Sequence, residues 1–299
     1  MGQIDFIMKK NKRKIVVVFA GVLLVVLPAV FLLPGYIVKK YYKISIPEPS
    51  RVVESVRSFS RKALDPDSIR LLNWNVYKGK RAGWKDDFQT LSRDMDLILV
   101  QEAYMLRHDF RRFRVKGMGL EFARSFSCNA RYLSDTGVMT LSRACPVTVK
   151  YLRSRYREPV VNTPKMSLFT EYSLDNSDFT LLVVNTHGIN FVRPEIFKSQ
   201  ISALVKEIKG HWGPVIFAGD FNTWTGKKLG FLLRIVKGSG MQEVMFKPDA
   251  RTKRFKCAID HVFYSGLKIL KSRVIGDITS SDHKAMEVEF CLDYHESEK

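Results

Sequence analysis

The sequence predicts an α/β domain over most of its 299 residues. Short apolar runs rich in β-branched and aromatic residues, such as residues 215–217, have the composition of buried strands. Another stretch, residues 197–208, repeats apolar side chains at helical spacing. Between residues 121 and 174 several strand-like runs follow one another without a helix, which is typical of antiparallel sheet. The length suits one large domain with an appendage.

The appendage is predicted to be a membrane anchor. Residues 1–14 are basic, and residues 15–33 contain no charged side chain. At 1.5 Å per residue a helix over that run is about 28 Å long, which is enough to cross the hydrocarbon core. A cleaved signal peptide is the alternative, but its apolar core is shorter and a small-x-small cleavage site should follow it. We therefore expect one uncleaved transmembrane helix within residues 15–38.

The remaining boundaries follow from charge and proline content. The basic cluster before the apolar run favours an N-terminus inside the cell, with the domain on the periplasmic side. Residues 39–67 carry three prolines and little apolar periodicity, so we expect a linker or stalk there. The catalytic domain is predicted over residues 68–292. A polar tail, residues 293–299, ends the chain.

The elements of the domain are assigned in chain order from the period of their apolar residues. Helices are expected at residues 84–91, from Pro194 onward, and at residues 227–237. Strands are expected at residues 69–77, 96–103, 122–126, 137–141, 147–152, 166–174, 179–188, 215–217 and 285–290. Residues 258–264 and 267–274 are two further strands, and Ser265-Gly266 between them predicts a hairpin connection.

Polar residues suited to phosphate or metal chemistry stand where these strands end. After the run at residues 215–217, Asp220 and Asn222 have the period-2 spacing that points two side chains to the same side. An ordinary turn after a strand explains this pair equally well. Other strand ends, in chain order, deliver Asn75, Glu102, His187, Asp260, and the group Ser280-Ser281-Asp282-His283.

This ordered set of motifs, WN, QE, NTH, GDFN, ID and SDH, resembles the endonuclease/exonuclease/phosphatase superfamily of metal-dependent phosphoesterases. The resemblance covers about residues 69–290. It implies a four-layer α/β sandwich, with two packed, mixed and largely antiparallel sheets flanked by helices. It also implies a hydrolase acting on phosphoester bonds, with Mg²⁺ as the cofactor and Mn²⁺ as the alternative metal.

The resemblance assigns roles to individual positions. It implies that His283 is the general base and that Asp260 is its carboxylate partner. Asp220 and Asn222 would position the attacking water and the phosphoryl oxygen, while His187 would assist the leaving group. The implied metal ligands are Glu102, Asn75 and Asp282. Independently of the resemblance, a basic Gly-containing loop after Asn75 offers three cations for a substrate phosphate, or is a solvated loop: Lys78, Lys80 and Arg81.

Charge and cysteine content restrict the partners. Lys and Arg number 49 against 30 Asp and Glu, a formal charge of +19, so anionic partners are expected. Nucleic acid and lipid headgroups therefore stay open as phosphoester substrates, with an endonuclease-like activity preferred and a binding protein on this scaffold as the non-enzymatic alternative. No obligate protein partner is expected. The four cysteines lack C-x-x-C spacing, which argues against a zinc site.

Overall fold

The fold is given by a computed structural model that describes residues 43–129, 132–159 and 161–293. The predicted basic segment, the transmembrane helix and residues 294–299 of the predicted tail lie outside these residues. Within them, no helix is long and apolar enough to cross a membrane.

Strands dominate the described residues, and three α-helices accompany them. The helices are α1 (Trp84–Ser92), α2 (Pro194–Ile208) and α3 (Gly226–Lys237). Short 3-10 helices occur at Pro49–Arg51, Tyr77–Gly79 and Phe110–Phe113. The strands, in chain order, are β1 (Lys43–Ser45), β2 (Val53–Val56), β3 (Ile69–Asn75), β4 (Leu97–Leu106), β5 (Gly119–Asn129), β6 (Leu133–Ser142), β7 (Thr148–Arg153), β8 (Met166–Ser173), β9 (Thr180–His187), β10 (Val215–Asp220), β11 (Gln242–Glu243), β12 (Lys253–Arg254), β13 (Cys257–Ala258), β14 (Asp260–Ser265), β15 (Leu267–Ile275) and β16 (Ala285–Leu292).

Two mixed sheets carry the fold. The first has the order β1-β5-β6-β4-β3-β16-β15, with β2 also paired to β5. The second has the order β11-β14-β10-β9-β8-β7. Each sheet contains one parallel pair, β3 with β4 and β9 with β10, and its other pairs are antiparallel. The predicted mixed, largely antiparallel sheets are confirmed.

The layers follow from which face each apolar side chain occupies. Alternate residues of β3 and β4, including Leu71 and Leu99, pack against Val183 and Ile216 of the second sheet. The opposite face of the first sheet packs on α1 through Phe88. Residues of α2 and α3 cover the outer face of the second sheet in the same way. Period-2 alternation in strands buried on both faces thus produces helix, sheet, sheet and helix layers.

The predicted linker is wrong from Lys43 onward. β1 and β2 both pair with β5, and Val52 is fully buried. The prolines that suggested a flexible stalk instead interrupt short segments that cover an edge of the first sheet. The folded domain therefore begins at least 25 residues before the predicted boundary at 68, at Lys43.

The predicted hairpin over residues 258–274 is also wrong. Two strands exist there, but β14 pairs with β10 in the second sheet, while β15 pairs with β16 in the first. Gly266 has a φ of 65°, and a Cβ at this position would lie 3.1 Å from Cα of Pro214. The Ser265-Gly266 turn therefore carries the chain from one sheet to the other. The residues of a turn do not by themselves determine whether the two strands that it connects pair with each other.

Strand ends converge at one edge of the sandwich. His187 and Asp220 are register partners at the carboxyl ends of parallel β9 and β10, and Asp260 opposes Asp220 at the start of β14. Gly219 makes this approach possible, because a Cβ there would lie 1.9 Å from the Thr186 carbonyl oxygen. The sheet geometry alone brings three distant ionisable residues together.

Candidate active site

A cavity of about 680 Å³ opens at this edge of the sandwich. Its inner end, here called the floor, is polar and contains most of the predicted site residues. Those that line the cavity are Lys78, Glu102, His187, Asp220, Asn222, Asp282 and His283. Asp260 lies directly beneath the floor and is 2 % exposed.

His283 and Asp260 form the pair that the motifs implied. The His283 Nδ1 atom lies 2.8 Å from Asp260 Oδ2 and 3.0 Å from Oδ1. Its other nitrogen, Nε2, lies 3.8 Å from Asp220 Oδ2. Burial opposes the charged imidazole, but the carboxylates of Asp260 and Asp220 outweigh it and raise the pKa of His283 to about 10. The carboxylate thus fixes the ring so that Nε2 is directed toward the floor.

Asp220 is the centre of the floor. Burial raises the pKa of its carboxyl group to about 7, although the positive charge of His283 acts in the opposite direction. Its oxygens accept hydrogen bonds from the Asn75 side-chain amide at 3.0 Å and from the Asn222 backbone at 2.9 Å. Since His283 and Asp220 titrate together, the floor retains a proton near neutral pH.

His187 and Asn222 complete the floor. His187 Nε2 lies 3.5 Å from Asp220 Oδ2, and burial lowers the pKa of this imidazole well below its ordinary value. His187 is therefore neutral at neutral pH and has one donor and one acceptor nitrogen. The Asn222 side chain donates to the Gly188 carbonyl at 3.0 Å. Its backbone has a φ of 52°, a left-handed conformation that costs free energy and is common at active sites.

The loop that carries His283 is fixed from several directions. The Ser281 hydroxyl donates to the Asn75 carbonyl at 2.6 Å, and the His283 backbone donates to the same hydroxyl at 3.2 Å. The Trp74 indole nitrogen donates to the His283 carbonyl at 3.1 Å. Arg81 donates to the carbonyls of Thr279 and Ser281 at 3.0 and 2.6 Å. The WN and SDH motifs therefore belong to one hydrogen-bonded unit.

Glu102 reaches the cavity through an irregularity in β4. The pairing of β4 with β6 shifts register between Val100 and Ala103, and Glu102 has a φ of 52°. Such bulges re-aim a side chain that regular alternation would direct elsewhere. Lys78 lies close enough that the Glu102 charge acts on it; burial lowers the pKa of Lys78, and Glu102 partly restores it.

Carboxylate oxygens at the floor fit a hard divalent cation. Among the described residues none donates a hydrogen bond to the Glu102 carboxylate, and the buried Asp282 Oδ1 has no hydrogen-bond partner. A second possible group is Asp220, Asp260 and His283, whose ligand atoms all lie within 4.8 Å of one another. Those atoms already bond to each other and to amides, so Glu102 and Asp282 offer the freer oxygens.

Besides Asp260, three predicted residues lie away from the cavity surface. Asn75 is 1 % exposed and uses its side chain to hold Asp220 and to accept from the Tyr77 backbone at 3.0 Å, so its role as a metal ligand stays a prediction. Lys80 lies over the Tyr77 ring, 4.9 Å from its centroid. Arg81 supports the His283 loop. Lys80 and Arg81 do not line the cavity, so their phosphate contacts stay predictions, whereas Lys78 does line it.

Other cavity residues had no strong signal in the sequence. Lys165 forms a 3.3 Å ion pair with Glu158, and Arg254 lies 3.9 Å from Asp282. Both cations line the cavity, as do the exposed rings of Phe191 and Phe255. Only the single phenylalanine within the basic run at residues 253–256 could have indicated this surface.

A buried network supports the floor from behind. His261, next to Asp260 in sequence, has Nδ1 2.7 Å from Glu243 and Nε2 2.9 Å from the Thr223 hydroxyl. Arg251 donates to Glu243 at 2.6 Å and to the Asp260 carbonyl at 3.3 Å. Strand alternation thus directs His261 away from the cavity and into contacts that hold the strands on which Asp220 and Asp260 lie.

Sequence relatives cover most of the chain. A UPF0294 protein of Vibrio parahaemolyticus is 36% identical over 249 residues, which are 81% of this chain and 86% of the relative. A UPF0294 protein of Yersinia pestis is 35% identical over 224 residues, covering 74% and 83% of the two chains. The similarity therefore extends beyond the short motifs to nearly the whole domain.

Solved structures share the fold at low sequence identity. An endonuclease/exonuclease/phosphatase from Beutenbergia cavernae matches with a TM-score of 0.59 and 13% identity, over 76% of this chain and 72% of that one. A family protein from Leptotrichia buccalis has a TM-score of 0.58 and 16% identity, over 74% and 99%. The model of the Endonuclease/Exonuclease/phosphatase family matches residues 72–283, which include the floor from Lys78 to His283, and the chain belongs to this family.

Proposed function

We propose that this chain is a metal-dependent phosphodiester hydrolase that uses His283 as its general base. The observation that carries the proposal is the 2.8 Å contact between His283 Nδ1 and Asp260, which leaves Nε2 directed toward Asp220 at the cavity floor. A base oriented by a carboxylate, next to a second carboxylate that can hold water, is the arrangement that in-line hydrolysis needs. The family, whose members act on phosphoesters, supports the same reaction class.

Each floor residue has a task in this proposal. Asp220 accepts a hydrogen bond from the attacking water, and His283 removes its proton through Nε2. His187, kept neutral by burial, donates a hydrogen bond to the leaving oxygen. Asn222 and Lys78 bind the non-bridging phosphate oxygens. Glu102 and Asp282 would hold a Mg²⁺ ion, and that ion would neutralise phosphate charge and favour the unprotonated form of the neighbouring imidazole.

The test is hydrolysis of bis(p-nitrophenyl) phosphate by the full chain, with Mg²⁺, Mn²⁺ or EDTA. We expect metal-dependent turnover that falls by about 100-fold or more in His283→Ala. His108→Ala is the matched control, because that imidazole lies outside the cavity. Equal rates for wild type and His283→Ala would overturn the mechanism. Absence of turnover on any phosphoester would favour the binding-protein alternative.

Nucleic acid is a second substrate candidate because of the net charge of +19. Plasmid nicking in the same preparations tests it, with the same two variants. Activity on plasmid that His283→Ala loses would identify a nuclease. If the plasmid stays intact while bis(p-nitrophenyl) phosphate is hydrolysed, the proposed phosphodiester hydrolysis stands and plasmid DNA is excluded as a substrate.

Membrane anchoring through residues 15–38 is part of the proposal and has its own test. Because β1 begins at Lys43, an alkaline phosphatase fusion should be placed after residue 42 so that no strand is cut. An active fusion is expected if the domain is periplasmic. Activity only from a cytoplasmic reporter at the same site would reverse the orientation.

A further inference from the structure

Three aromatic rings form the outer rim of the cavity, here called the aromatic mouth: Phe191, Trp224 and Phe255. Phe191 is 67% exposed and Phe255 is 81% exposed, although phenylalanine is among the residues most often buried. The Trp224 ring lies between them, with centroids 6.1 Å from Phe191 and 5.9 Å from Phe255. Exposed phenylalanines that are contiguous and border a cavity indicate a binding surface.

The rings are held outward by the backbone. Phe255 and Lys256 form the two-residue turn between β12 and β13, with φ values of 47° and 67°. Phe191 has a φ of 53°. For a bulky residue this left-handed conformation costs free energy, and it is retained mainly where function requires it. The hairpin therefore places a phenylalanine at its tip against the local preference of that residue.

Trp224 is fixed as the base of the mouth. Its indole nitrogen donates to the Asn190 side chain at 2.7 Å. The Lys228 ammonium lies 5.2 Å from its ring centroid and 5.4 Å from that of Phe197. Lys228 is 2% exposed, and burial lowers its pKa. A buried cation between two rings fixes the orientation of Trp224, so the mouth is pre-organised.

An apolar wall joins the mouth to the floor. It consists of side chains without a hydrogen-bonding group, namely Phe126, Val138, Val161, Met166 and Ile259. Some polar neighbours of the wall are already paired, since Glu158 pairs with Lys165 and the Ser125 hydroxyl donates to the Pro164 carbonyl at 2.5 Å, while the hydroxyls of Thr136 and Thr163 also border it. A substrate part lying here would find few free hydrogen-bond partners, which favours a hydrocarbon over a nucleobase with polar edges.

Basic side chains flank the mouth. Lys253, Arg254 and Lys256 are exposed around Phe255, and Arg193 is exposed two residues after Phe191. Apolar rings surrounded by Lys and Arg match the two components of an anionic bilayer surface, namely hydrocarbon and phosphate. The charge complementarity and the apolar wall therefore point to the same partner.

We propose that the aromatic mouth docks on a bilayer that contains anionic phospholipid. Phe191 and Phe255 enter the headgroup boundary, the flanking cations contact lipid phosphates, and one lipid places its phosphate on the floor with its apolar part along the wall. The substrate class is accordingly a lipid phosphoester. Its hydrolysis rests on the proposed function, whereas the docking does not.

Position-specific photocrosslinking of the full chain tests the docking. Simple sedimentation with vesicles is uninformative, because residues 15–33 are themselves apolar. Instead, p-benzoylphenylalanine replaces Phe255, Phe191 or Trp212, one at a time. Each variant is then irradiated with vesicles of phosphatidylethanolamine and phosphatidylglycerol. Trp212 is the matched control, since it is 76% exposed and lies before β10, at the sheet end opposite the floor.

Lipid adducts at positions 255 and 191 but not at 212, reduced when phosphatidylcholine replaces phosphatidylglycerol, are the expected result. Equal adduct yields at 255 and 212 would overturn the proposal. The proposal would also be overturned if an added single-stranded oligonucleotide were crosslinked in place of lipid, because the mouth would then bind nucleic acid.

Hydrolysis of vesicle lipid supplies the second readout. The double variant Phe191→Ser/Phe255→Ser should release lipid phosphate at least about 10-fold more slowly than Trp212→Ser, given the apolar area lost. Equal rates would contradict the docking. Lipid adducts without hydrolysis of any phosphoester would contradict the proposed function alone, and hydrolysis of bis(p-nitrophenyl) phosphate without adducts would contradict the docking alone.

Discussion

The floor and the aromatic mouth of the same cavity are built in opposite ways. Asp220 and His283 of the floor, and Asp260 beneath it, are each less than one-tenth exposed and hydrogen-bond to groups on several strands. The mouth residues Phe191 and Phe255 lie on loops and are mostly exposed. Rigid strand ends position reacting groups precisely enough for chemistry, whereas loops can present a surface to a partner. The following predictions test this division of roles, from the largest expected effect to the smallest.

Removing one charge from the floor should have the largest effect. Asp260→Asn keeps the size of the side chain but no longer stabilises the His283 imidazolium, so kcat should fall by about 10²–10⁴-fold. Steady-state kinetics on bis(p-nitrophenyl) phosphate measures this, with exposed Asp178→Asn as control. A rise in KM with unchanged kcat would show that Asp260 binds substrate rather than acting through His283.

The network behind the floor should matter for stability. Arg251→Met leaves Glu243 without its 2.6 Å partner, and we expect a loss of about 3 kcal/mol in the free energy of unfolding. Urea unfolding of the full chain measures it. Exposed Arg193→Met is the control. A change below the error of the measurement would show that the floor does not depend on this support.

The same network predicts a pH dependence. Burial alone would raise the pKa of Glu243, but His261 and Arg251 outweigh it and lower this pKa, and the hydrogen bond from Arg251 lowers the pKa of Asp249 to about 2. Carboxyl groups with a lowered folded-state pKa add stability above their ordinary value near 4, which is lost as the pH falls toward about 2. In Arg251→Met, the free energy of unfolding should fall less steeply with pH over that interval. A slope equal to that of the wild type would contradict the role of Arg251 in lowering these two pKa values.

A change at the metal site should have an intermediate effect on catalysis. Glu102→Gln keeps the shape but removes the charge of a freer floor carboxylate, so half-maximal activity should need about 10–100-fold more Mg²⁺. A Mg²⁺ titration of the rate measures this. Glu195→Gln on α2 is the control, because Glu195 lies outside the cavity. An unchanged titration would remove Glu102 from the ligand set.

The smallest effect on stability is expected at the mouth. Because Phe255 is 81% exposed, Phe255→Ser should change the free energy of unfolding by no more than about 0.5 kcal/mol. Phe217→Ser, at a fully buried ring of the second sheet, is the contrasting variant and should be strongly destabilising. Comparable destabilisation by both would show that Phe255 serves the fold rather than a partner.

Much of the domain was predictable because its signals are local. Apolar periodicity gave the three helices and the long strands, whereas the mixed sheets were implied by the family resemblance. The motifs gave the residues of the floor, and the family match agrees with that resemblance. Phe191 and Phe255 escaped prediction because an aromatic residue in a loop carries no periodic signal, and its exposure depends on what the rest of the chain leaves uncovered.

The sequence by itself determined which residues end each strand, because alternation and turn chemistry act over a few neighbouring positions. Tertiary structure decided the partners of those residues. It placed β14 and β15 in different sheets, added β1 and β2 to the first sheet, and brought Arg81 into hydrogen bonds with the His283 loop. Pairing between strands far apart in sequence depends on burying shared apolar faces and satisfying backbone groups across the whole domain, and no local pattern contains that information.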